Sequence, residues 1–408
     1  MVTADAFFHD VLVIGGGPVG LAAAVALAEA GVDVGLVASR KPYPDNRTTA
    51  LLGGSVTFLQ QIGAWASCED HAAPLRRMRL VDNTERLIRA PEVTFSCDEI
   101  GLDAFGYNVE NRRLVAALET RAAALAALAR YDGEAEHVEP ANDHVAVQIH
   151  GGGALQGKLA VGADGRQSMC RDAAGIDVRR SPLTQAALTF NIAHARPHHD
   201  TSTEFHTAEG PCVVVPLKGN RSSMVWVASP SEAQRLMHLS DDELALAAER
   251  MMHSMLGRVR VEPGRHTFPL AIERPRSFAR NRIMLAGEAA HVLPPIGAQG
   301  LNLGLRDAAD IAEIVAEAGA RGEDPGTPSV LARYEQKRRS DILSRTMAID
   351  IANRSLLSGL LPVQLARAAG LHLLSSVAPL RRIAMREGLA PSWRRSSTDA
   401  LKPDHGSR

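Results

Sequence analysis

The chain has 408 residues and a mass of 43.6 kDa, enough for two or three domains or for one large α/β unit with an insertion. Apolar residues make up 45% and charged residues 22% of the chain, which excludes a disordered, collagen-like or coiled-coil protein. The formal net charge of -1 argues against a dedicated nucleic-acid-binding protein, which normally carries a basic excess.

Targeting and redox signals are few. No run of 18 or more apolar residues occurs, so we expect no membrane-spanning helix. A strand pattern near the N-terminus leaves no room for a secretory signal. The cysteines show no C-x-x-C spacing and are interpreted as reduced, buried thiols: Cys68, Cys97, Cys170 and Cys212. We therefore predict a cytoplasmic protein without zinc or disulfide chemistry.

A strand, a glycine-rich turn and a helix open the chain. Residues 11–14 form an apolar run typical of a buried parallel strand. An alanine-rich helix at 21–30 ends at Gly31, and a second strand follows at 32–37. The G-x-G-x-x-G spacing of residues 15–20 permits a tight turn, close packing of the helix and approach of the backbone to a pyrophosphate. In this context the spacing predicts dinucleotide binding.

The end of the second strand departs from the usual dinucleotide pattern. An acidic residue normally stands there to bind the ribose hydroxyls, but this chain has Ala38 followed by Ser39 and Arg40. Either Ser39 and Arg40 replace the missing carboxylate or the adenosine is bound less tightly.

The middle of the chain combines a helix pattern with a second turn. The alanine-rich residues 122–129 predict a core helix. After a strand pattern at 158–161, Asp164 can accept hydrogen bonds while Gly165 lets the backbone bend. Taken alone, these two residues form an ordinary Asp-Gly turn.

Residues 181–267 have a different, antiparallel pattern. Strands are predicted at 188–193, 212–217 and 222–227, and a four-residue turn joins the last two as a hairpin. Residues 231–256 predict the helix that accompanies this sheet. The segment is therefore expected to be an inserted antiparallel sheet.

A third glycine-rich segment follows. A strand predicted at 282–285 leads into residues 287–291 and then into a loop, 294–300, that opens a long helix. Such a loop presents free backbone N–H groups and the positive end of a helix dipole. The arrangement suits an anion or the electron-rich edge of a reduced ring.

Three motifs together carry a family resemblance: GGGPVG near the N-terminus, GADGRQS in the middle and GEAAHVLPPIGAQGLNLGLRD late in the chain. They resemble those of the single-component FAD-dependent aromatic hydroxylases, most closely the ubiquinone-biosynthesis hydroxylases. Residues 47–51, 105–112 and 222–227 match as well, so the resemblance covers about residues 9 to 390.

The resemblance implies an α/β fold with a Rossmann-like FAD-binding domain, an inserted antiparallel-sheet substrate domain and a C-terminal helical segment. The boundaries follow from the motifs: 1–75, 100–180 and 270–345 for the FAD-binding domain, 76–99 and 181–269 for the substrate domain, 346–395 for the C-terminal helices and 396–408 for a flexible tail.

The resemblance also implies site residues by motif. The first glycines hold the pyrophosphate, the arginines reach its phosphates or the ribityl chain, and the late loop lies beside the isoalloxazine. The implied cofactor-binding residues are Gly15, Gly17, Pro18, Val19, Gly20, Ser39, Arg40, Arg47, Arg112, Asp164, Gly165, Glu288, Gly297, Ala298, Gly300, Leu301 and Asn302. No catalytic side chain and no metal ligand is expected, because the flavin carries the chemistry. His291, Arg306 and Asp307 are interpreted as scaffold.

Two departures lie inside the late motif. Glu288 stands where the family has aspartate, which shifts the carboxylate expected to bind the ribityl chain. Ala298 stands where the family has glycine, and its Cβ can crowd the flavin or restrict a backbone with positive φ. With Ala38, these departures predict weaker FAD affinity more than an altered fold.

The implied activity is FAD-dependent hydroxylation of the aromatic ring of a polyprenylated phenol in ubiquinone biosynthesis, through a flavin C4a-hydroperoxide. O2 is the co-substrate, NAD(P)H or a reductase supplies electrons, and other ubiquinone-biosynthesis proteins are the expected partners, with no nucleic acid. Two alternatives stay open: a hydroxylase of a small soluble aromatic compound, and a non-catalytic accessory subunit with an eroded flavin site.

The C-terminal region is both basic and apolar. No acidic residue occurs between Asp350 and Glu387, while arginines alternate with leucines. Helices of this composition can lie at a membrane surface or pack on the FAD-binding domain with their arginines in solvent. Because a polyprenylated substrate partitions into the bilayer, we expect peripheral membrane contact here. The arginines are Arg354, Arg367, Arg381, Arg382 and Arg386.

Overall fold

The computed structural model describes residues 7–40, 46–84, 89–295, 297–357 and 361–389. In chain order, its strands are β1 (Phe7–Ile14), β2 (Val34–Val37), β3 (Thr48–Leu52), β4 (Ala73–Leu75), β5 (Arg77–Asp82), β6 (Val93–Ser96), β7 (Gly106–Glu110), β8 (Leu128–Tyr131), β9 (Ala135–Pro140), β10 (Val145–Ile149), β11 (Ala154–Gly162), β12 (Val178–His194), β13 (Thr201–His206), β14 (Pro211–Leu217), β15 (Arg221–Ala228), β16 (Val259–Val261), β17 (His266–Pro275), β18 (Ala279–Arg280) and β19 (Ile283–Leu285).

The helices of the same residues are α1 (Pro18–Glu29), α2 (Gly53–Gln61), α3 (Ala66–Glu69), α4 (Asn111–Ala123), α5 (Met169–Ala173), α6 (Pro230–His238), α7 (Asp241–Met251), α8 (Gln299–Ala320), α9 (Pro328–Leu357), α10 (Leu361–Ser376) and α11 (Ala378–Leu389). Short 3₁₀ helices occur at Cys97–Ile100 and Gly287–Ala289.

The first sheet has a parallel centre built from distant segments. Its order is β18-β19-β11-β1-β2-β8, and β19, β11, β1, β2 and β8 run parallel to one another. The antiparallel hairpin β9–β10 continues from β11. Central residues such as Val11, Leu12, Leu36 and Val161 are fully buried because helices cover the sheet.

The second sheet is mostly antiparallel, with the order β16-β12-β15-β14-β13-β5-β6 and β17 paired to β12. The predicted hairpin is confirmed, because β14 and β15 pair through Leu217 and Arg221. Helices α6 and α7 cover one face, where Leu188, Phe205 and Trp226 belong to a separate apolar core. Strands β5 and β6 come from the segment before β7 and extend this sheet through a parallel pairing of β5 with β13.

A small third sheet, β3-β7-β4, connects the two larger ones. The amide nitrogen of Asn108, on β7, donates to the carbonyl of Pro216 on β14 at 2.8 Å. The C-terminal helix α11 packs nearby, because Met385 shares an apolar cluster with Cys97 and Phe105.

Two predicted helices are wrong. The alanine-rich residues 122–129 do not form one helix, because α4 ends at Ala123 and β8 begins at Leu128. Residues 231–256 form two helices, because Ser240 caps a new helix by accepting a hydrogen bond from the Glu243 backbone. The predicted tail, 396–408, lies outside the described residues.

All four cysteines are buried free thiols. Burial raises the pKa of the Cys68 thiol to about 11, with the charge of Glu69 contributing, so this thiol stays protonated at neutral pH. Within the described part of the chain, none of the helices has both the length and the apolar composition needed to cross a membrane.

Candidate active site

The N-terminal glycines have two different structural roles. A Cβ at Gly15, where φ is +119°, would lie 2.2 Å from the Ala163 carbonyl oxygen, and a Cβ at Gly20 would lie 2.0 Å from the Gly15 oxygen. These two glycines therefore allow close packing of the backbone. A Cβ at Gly17 would meet no atom within 4 Å, so this position faces open space.

The three motifs meet at the carboxyl ends of β1, β11 and β19. The Ala163 amide donates to the Ile14 carbonyl at 2.8 Å, and the Ala286 amide donates to the Gly162 carbonyl at 2.9 Å. Val19 lies against the late motif, since a Cβ at Gly304 would approach its Cγ2 to 2.5 Å. Segments that are far apart in sequence thus form one surface, at the edge where α/β proteins bind nucleotides.

Two helices begin at this surface without a side-chain cap. Helix α1 has Gly17 as its N-cap and Pro18 at its first position, and α8 has Ala298 as its N-cap. In both helices the first-turn N–H groups lack intrahelical partners. In α8 these groups include the amides of Gly300 and Leu301. Both helix ends can therefore receive negative charge.

This surface fits FAD. The open space at Gly17 and the uncapped start of α1 suit the pyrophosphate, and the uncapped start of α8 suits the electron-rich edge of the flavin. When FAD is bound, it supplies the redox chemistry. The chain would hold FAD at this surface and present these N–H groups to it.

The residues after β2 lie beside the cofactor surface. Ala38 is buried, and a Cβ at Gly16 would lie 2.8 Å from the Ala38 Cβ. Arg40 pairs with Asp132 through its Nε at 3.0 Å, while Ser39 is half-buried. The guanidinium of Arg40 is thus directed to β8, which leaves Ser39 as the nearer candidate for the ribose.

The predicted arginines differ in their surroundings. Arg112 pairs with Glu110 at 2.9 Å, and Glu110 also contacts Arg221 at 3.3 Å. Arg221 donates two hydrogen bonds to the Glu262 carboxylate and thereby holds the pKa of Glu262 below its usual range, although burial opposes this. The backbone amide of Asn111 donates to the Arg47 carbonyl at 2.9 Å. Arg112 therefore belongs to an ion network between the sheets, and its cofactor role stays a prediction.

Asp164 is held within its own turn. Its carboxylate accepts the Ser168 hydroxyl at 2.6 Å and the Cys170 amide at 3.0 Å, and Gly165 has a φ of +83°. Arg171, which the sequence analysis missed, is buried and donates to the Ala289 carbonyl at 3.2 Å. It joins the middle and late motifs, and no local sequence pattern marks it.

Asn302 is fully buried and uses its whole amide group inside the protein. Its oxygen accepts the Leu52 amide at 2.9 Å and the Ser55 hydroxyl at 2.7 Å. Its nitrogen donates to the carbonyls of Ala50 at 2.8 Å and Ala298 at 2.6 Å. The side chain thus fixes the start of α8 against β3 and α2. It positions the late loop, and its amide has no bond left for the flavin.

A buried ion cluster anchors the late motif from behind. The Asp307 carboxylate accepts the Gly287 amide at 2.9 Å and His291 Nε2 at 2.7 Å, and it lies 2.7 Å from Arg338 Nε. Burial opposes ionisation of Asp307, but the charge of Arg338 and the contact with His291 hold its pKa below the usual range. Arg338 also binds Asp310 and Asp341, each at 2.9 Å. His291 and Asp307 are therefore scaffold, as predicted; Arg306 contacts the same cluster.

Helices α6 and α7 leave one face of the second sheet uncovered. Side chains at the centre of this face are partly accessible to solvent. Cross-strand pairing places Leu80, Glu204, Val213 and Val225 in one row, with Val215 beside them. These five side chains are half-buried, while Thr189 at the end of the row is buried. We call the five residues the sheet wall. The same face contacts the cofactor-binding side, since the Asn191 amide nitrogen donates to the Asn46 carbonyl at 3.1 Å.

Ala298 lies in the left-handed region, with φ 54° and ψ 31°, while Glu288 is exposed. We expect Ala298→Gly to raise the free energy of unfolding by about 0.5 kcal/mol, because about 1 kcal/mol of backbone strain is relieved and about 0.5 kcal/mol is lost to unfolded-state entropy. With Glu288→Asp added, FAD should bind more tightly in a fluorescence titration. Unchanged or weaker affinity would show that the local backbone has adapted to both residues.

The fold and the surface described above fit an FAD-binding protein, and similarity to known proteins identifies an FAD-dependent monooxygenase of the aromatic-hydroxylase class. The family described as FAD binding domain matches residues 9–346. Ubiquinone hydroxylase UbiL of Rhodospirillum rubrum is 34% identical over 93% of this chain and 89% of its own. 3-demethoxyubiquinol 3-hydroxylase of Escherichia coli is 28% identical, over 93% of this chain and 98% of its own.

A solved structure, p-nitrophenol 4-monooxygenase PnpA from Pseudomonas putida DLL-E4, superposes with a TM-score of 0.78 at 21% identity. The match covers 94% of this chain and 98% of that one, and it shows a common fold. The chain belongs to the FAD binding domain family of flavoprotein hydroxylases.

Proposed function

We propose that this chain hydroxylates the aromatic ring of a polyprenylated phenol in ubiquinone biosynthesis, with FAD as cofactor, O2 as co-substrate and electrons from NAD(P)H or a reductase. Two similar proteins named for ubiquinone hydroxylation align over more than nine-tenths of the chain, which supports the pathway. The observation that carries the substrate class is the composition of the sheet wall.

The sheet wall is apolar apart from Glu204. Four of its five side chains are Leu80, Val213, Val215 and Val225. Arg221, which shares this face at the edge of the sheet, is neutralised by Glu262 at 2.7 Å and by Glu110 at 3.3 Å. A wall of this kind favours an uncharged, apolar ring substituent over the carboxylate of a small soluble aromatic acid.

The test compares a phenol carrying a short prenyl chain with the same phenol without it. The FAD-loaded protein is reduced, mixed with ¹⁸O2, and the hydroxylated product is measured by mass spectrometry. We expect a kcat/KM at least about tenfold higher for the prenylated phenol, because burying one prenyl unit supplies more than the 1.4 kcal/mol that a factor of ten requires.

Other results would favour the alternatives. Preference for the unprenylated phenol would indicate a soluble substrate, and failure to take up FAD on reconstitution would indicate an accessory subunit. In cells, deletion of the gene should accumulate a prenylated ubiquinone precursor that lacks one ring hydroxyl.

We further propose that the C-terminal helices contact the membrane, where a polyprenylated substrate resides. The exposed apolar side chains Leu365, Leu373, Leu380 and Ile383 form what we call the C-terminal apolar surface. Helix α11 also reaches the substrate side, because Met385 shares a cluster with Met78, two residues before Leu80 of the sheet wall. A tail could thus pass from the membrane to the wall along α11.

One predicted headgroup contact needs correction. Arg381 is mostly buried, binds Glu99 at 2.7 Å and donates to the carbonyls of Leu374 and Ser375. It holds α11 to the protein and is not available to a lipid. Arg382 and Arg386 are exposed beside the C-terminal apolar surface, and the side chains of Arg354 and Arg367 lie outside the described residues.

We expect the protein to cosediment with vesicles containing anionic phosphatidylglycerol. The double variant Leu373→Glu, Ile383→Glu should reduce the bound fraction at least about tenfold, because two charges oppose insertion of the C-terminal apolar surface. Leu246→Glu is the matched control, since Leu246 is 54% exposed on α7. A supernatant that retains the folded wild-type protein at both low and high salt would contradict membrane contact.

A further inference from the structure

A charged pair interrupts the apolar sheet wall. Glu204 and His206 alternate along β13, so both side chains lie on the face that carries the wall. Glu204 Oε1 lies 3.0 Å from His206 Nε2, and the side chains are only 18% and 10% exposed. The strand neighbours of Glu204 are Leu80 on one side and Val213 on the other.

This placement is costly for a purely structural pair. Withdrawing two ionisable groups from water between apolar strands is often less favourable than placing apolar residues there. Leu80 and Val213, the strand neighbours of Glu204, are half-buried, and Glu204 itself stays 18% exposed, so the carboxylate keeps an opening to solvent on this face. An ionisable pair beside such an opening, on the cofactor side of the sheet, points to a ligand with a polar atom.

We propose that the Glu204–His206 pair binds the phenolic hydroxyl of the substrate and takes up its proton during hydroxylation. The proposal rests on the proposed function. The O–H bond breaks, its electron pair stays on oxygen, and the pair holds the proton. The phenolate oxygen donates electron density into the ring, which favours attack on an electrophilic oxygen. A ring carbon–oxygen bond forms as the O–O bond of the oxygen donor breaks, and the oxygen left behind would take up the proton that the ring carbon loses when it regains aromaticity. The pair then returns its own proton to the phenolate oxygen of the product.

Asp82 and Cys212 are titratable neighbours of the pair, Asp82 on the same face of the sheet and Cys212 on the opposite face. Asp82 stands opposite His206 on β5, and its carboxylate accepts the Thr84 amide at 3.1 Å, the Thr84 hydroxyl at 2.6 Å and the Ala90 amide at 2.8 Å. Cys212 lies on the helix-covered face of β14, where burial and the charge of Glu204 raise its thiol pKa far above the usual value. Asp82 is thus occupied by the β5–β6 turn, and Cys212 remains a thiol at neutral pH.

The experiment uses Glu204→Gln and His206→Gln in the FAD-loaded protein. Each protein is reduced anaerobically with dithionite and mixed with O2 and the prenylated phenol, so that one turnover is followed without a physiological donor. We expect the rate of product formation to fall about 100-fold or more, the contribution typical of a positioned acid or base. The wild-type rate should fall at low pH, where the pair becomes protonated. This decrease of the rate at low pH should be absent in both variants. The affinity of each variant for the phenol should change only a few-fold.

Controls separate this role from a structural one. His144→Gln removes a half-buried histidine of the first sheet's β9–β10 turn that lies 2.8 Å from Asp143, and it should leave rate and pH profile unchanged. Glu204→Asp, which keeps the carboxylate, should retain an intermediate rate. A second control uses the wild-type protein with the methyl ether of the same phenol. Because the ether has no phenolic proton, it should be hydroxylated about 100-fold more slowly, and its rate should not decrease at low pH.

The possible results separate the proton role of the Glu204–His206 pair from the proposed hydroxylase function. Wild-type rates and an unchanged pH profile in both glutamine variants, or equal rates for phenol and methyl ether, would overturn the proton role and leave the hydroxylase assignment in place. Absence of product from the wild-type protein with any phenol would overturn the proposed function, and this inference with it.

Discussion

Gly20→Ala should prevent the apoprotein from folding stably, whereas Gly17→Ala should leave the fold intact and weaken FAD binding. At Gly20 the new Cβ would lie 2.0 Å from the Gly15 oxygen, a backbone atom that cannot move aside, so we expect a loss of about 3 kcal/mol or more. At Gly17 the Cβ meets no protein atom within 4 Å. It would instead stand where the pyrophosphate approaches, and FAD affinity should fall at least about tenfold.

Urea unfolding of the apoproteins and FAD titration of the folded ones test both parts. Gly17 has a φ of -73°, which alanine adopts freely, so the Gly17 variant is the natural control for the loss of a glycine as such. If Gly17→Ala binds FAD as tightly as the wild-type protein, the pyrophosphate does not lie at the start of α1. If Gly20→Ala is stable, the packing of this turn has been misjudged.

Arg338→Met should lower the free energy of unfolding by about 3–5 kcal/mol, because it removes the buried arginine that pairs with the fully buried Asp307 carboxylate. Arg338 is fully buried and contacts Asp307, Asp310 and Asp341. The neighbouring Arg339 is 53% exposed and pairs with Glu335 one turn away, so Arg339→Met should cost only about 0.3–0.5 kcal/mol. Chemical denaturation of both variants at neutral pH gives the comparison.

The pH dependence of the Arg338 variant has a definite sign. The native pKa of Asp307 is depressed, so its contribution is present above the unfolded-state value of about 3.9 and is lost as pH falls through the native value. The variant lacks this contribution. The stability difference between wild type and variant should therefore shrink only as the pH falls below about 3.9. A difference that stays constant would show that Asp307 is not stabilised by Arg338.

Local sequence patterns predicted the parts of the fold that local physics decides. The turn at Gly15 and Gly20 and the hairpin joined at residues 218–221 both follow from short-range geometry. The helix expected at 122–129 failed because pairing of β8 with β2 overrides the helix propensity of alanine. Such pairing depends on residues almost a hundred positions away.

The site was predictable to a similar degree. The motifs identified the cofactor surface, but the bonding of Asn302 and the ion cluster around Arg338 require three-dimensional neighbours. Glu204 and His206 carry no motif at all. Their common face, and the valines beside them, emerge only from the register of β13 against β5 and β14.

The parallel centre of the first sheet also determines the order in which this protein can fold during its synthesis. Strand β1 pairs with β11, and β11 with β19, so the cofactor surface needs segments separated by about 270 residues. During synthesis the ribosome must release most of the chain before α8 can close against α1. FAD can therefore act on folding only at a late stage, and a nascent chain that stops before β19 would expose the β11 edge with no cofactor to protect it.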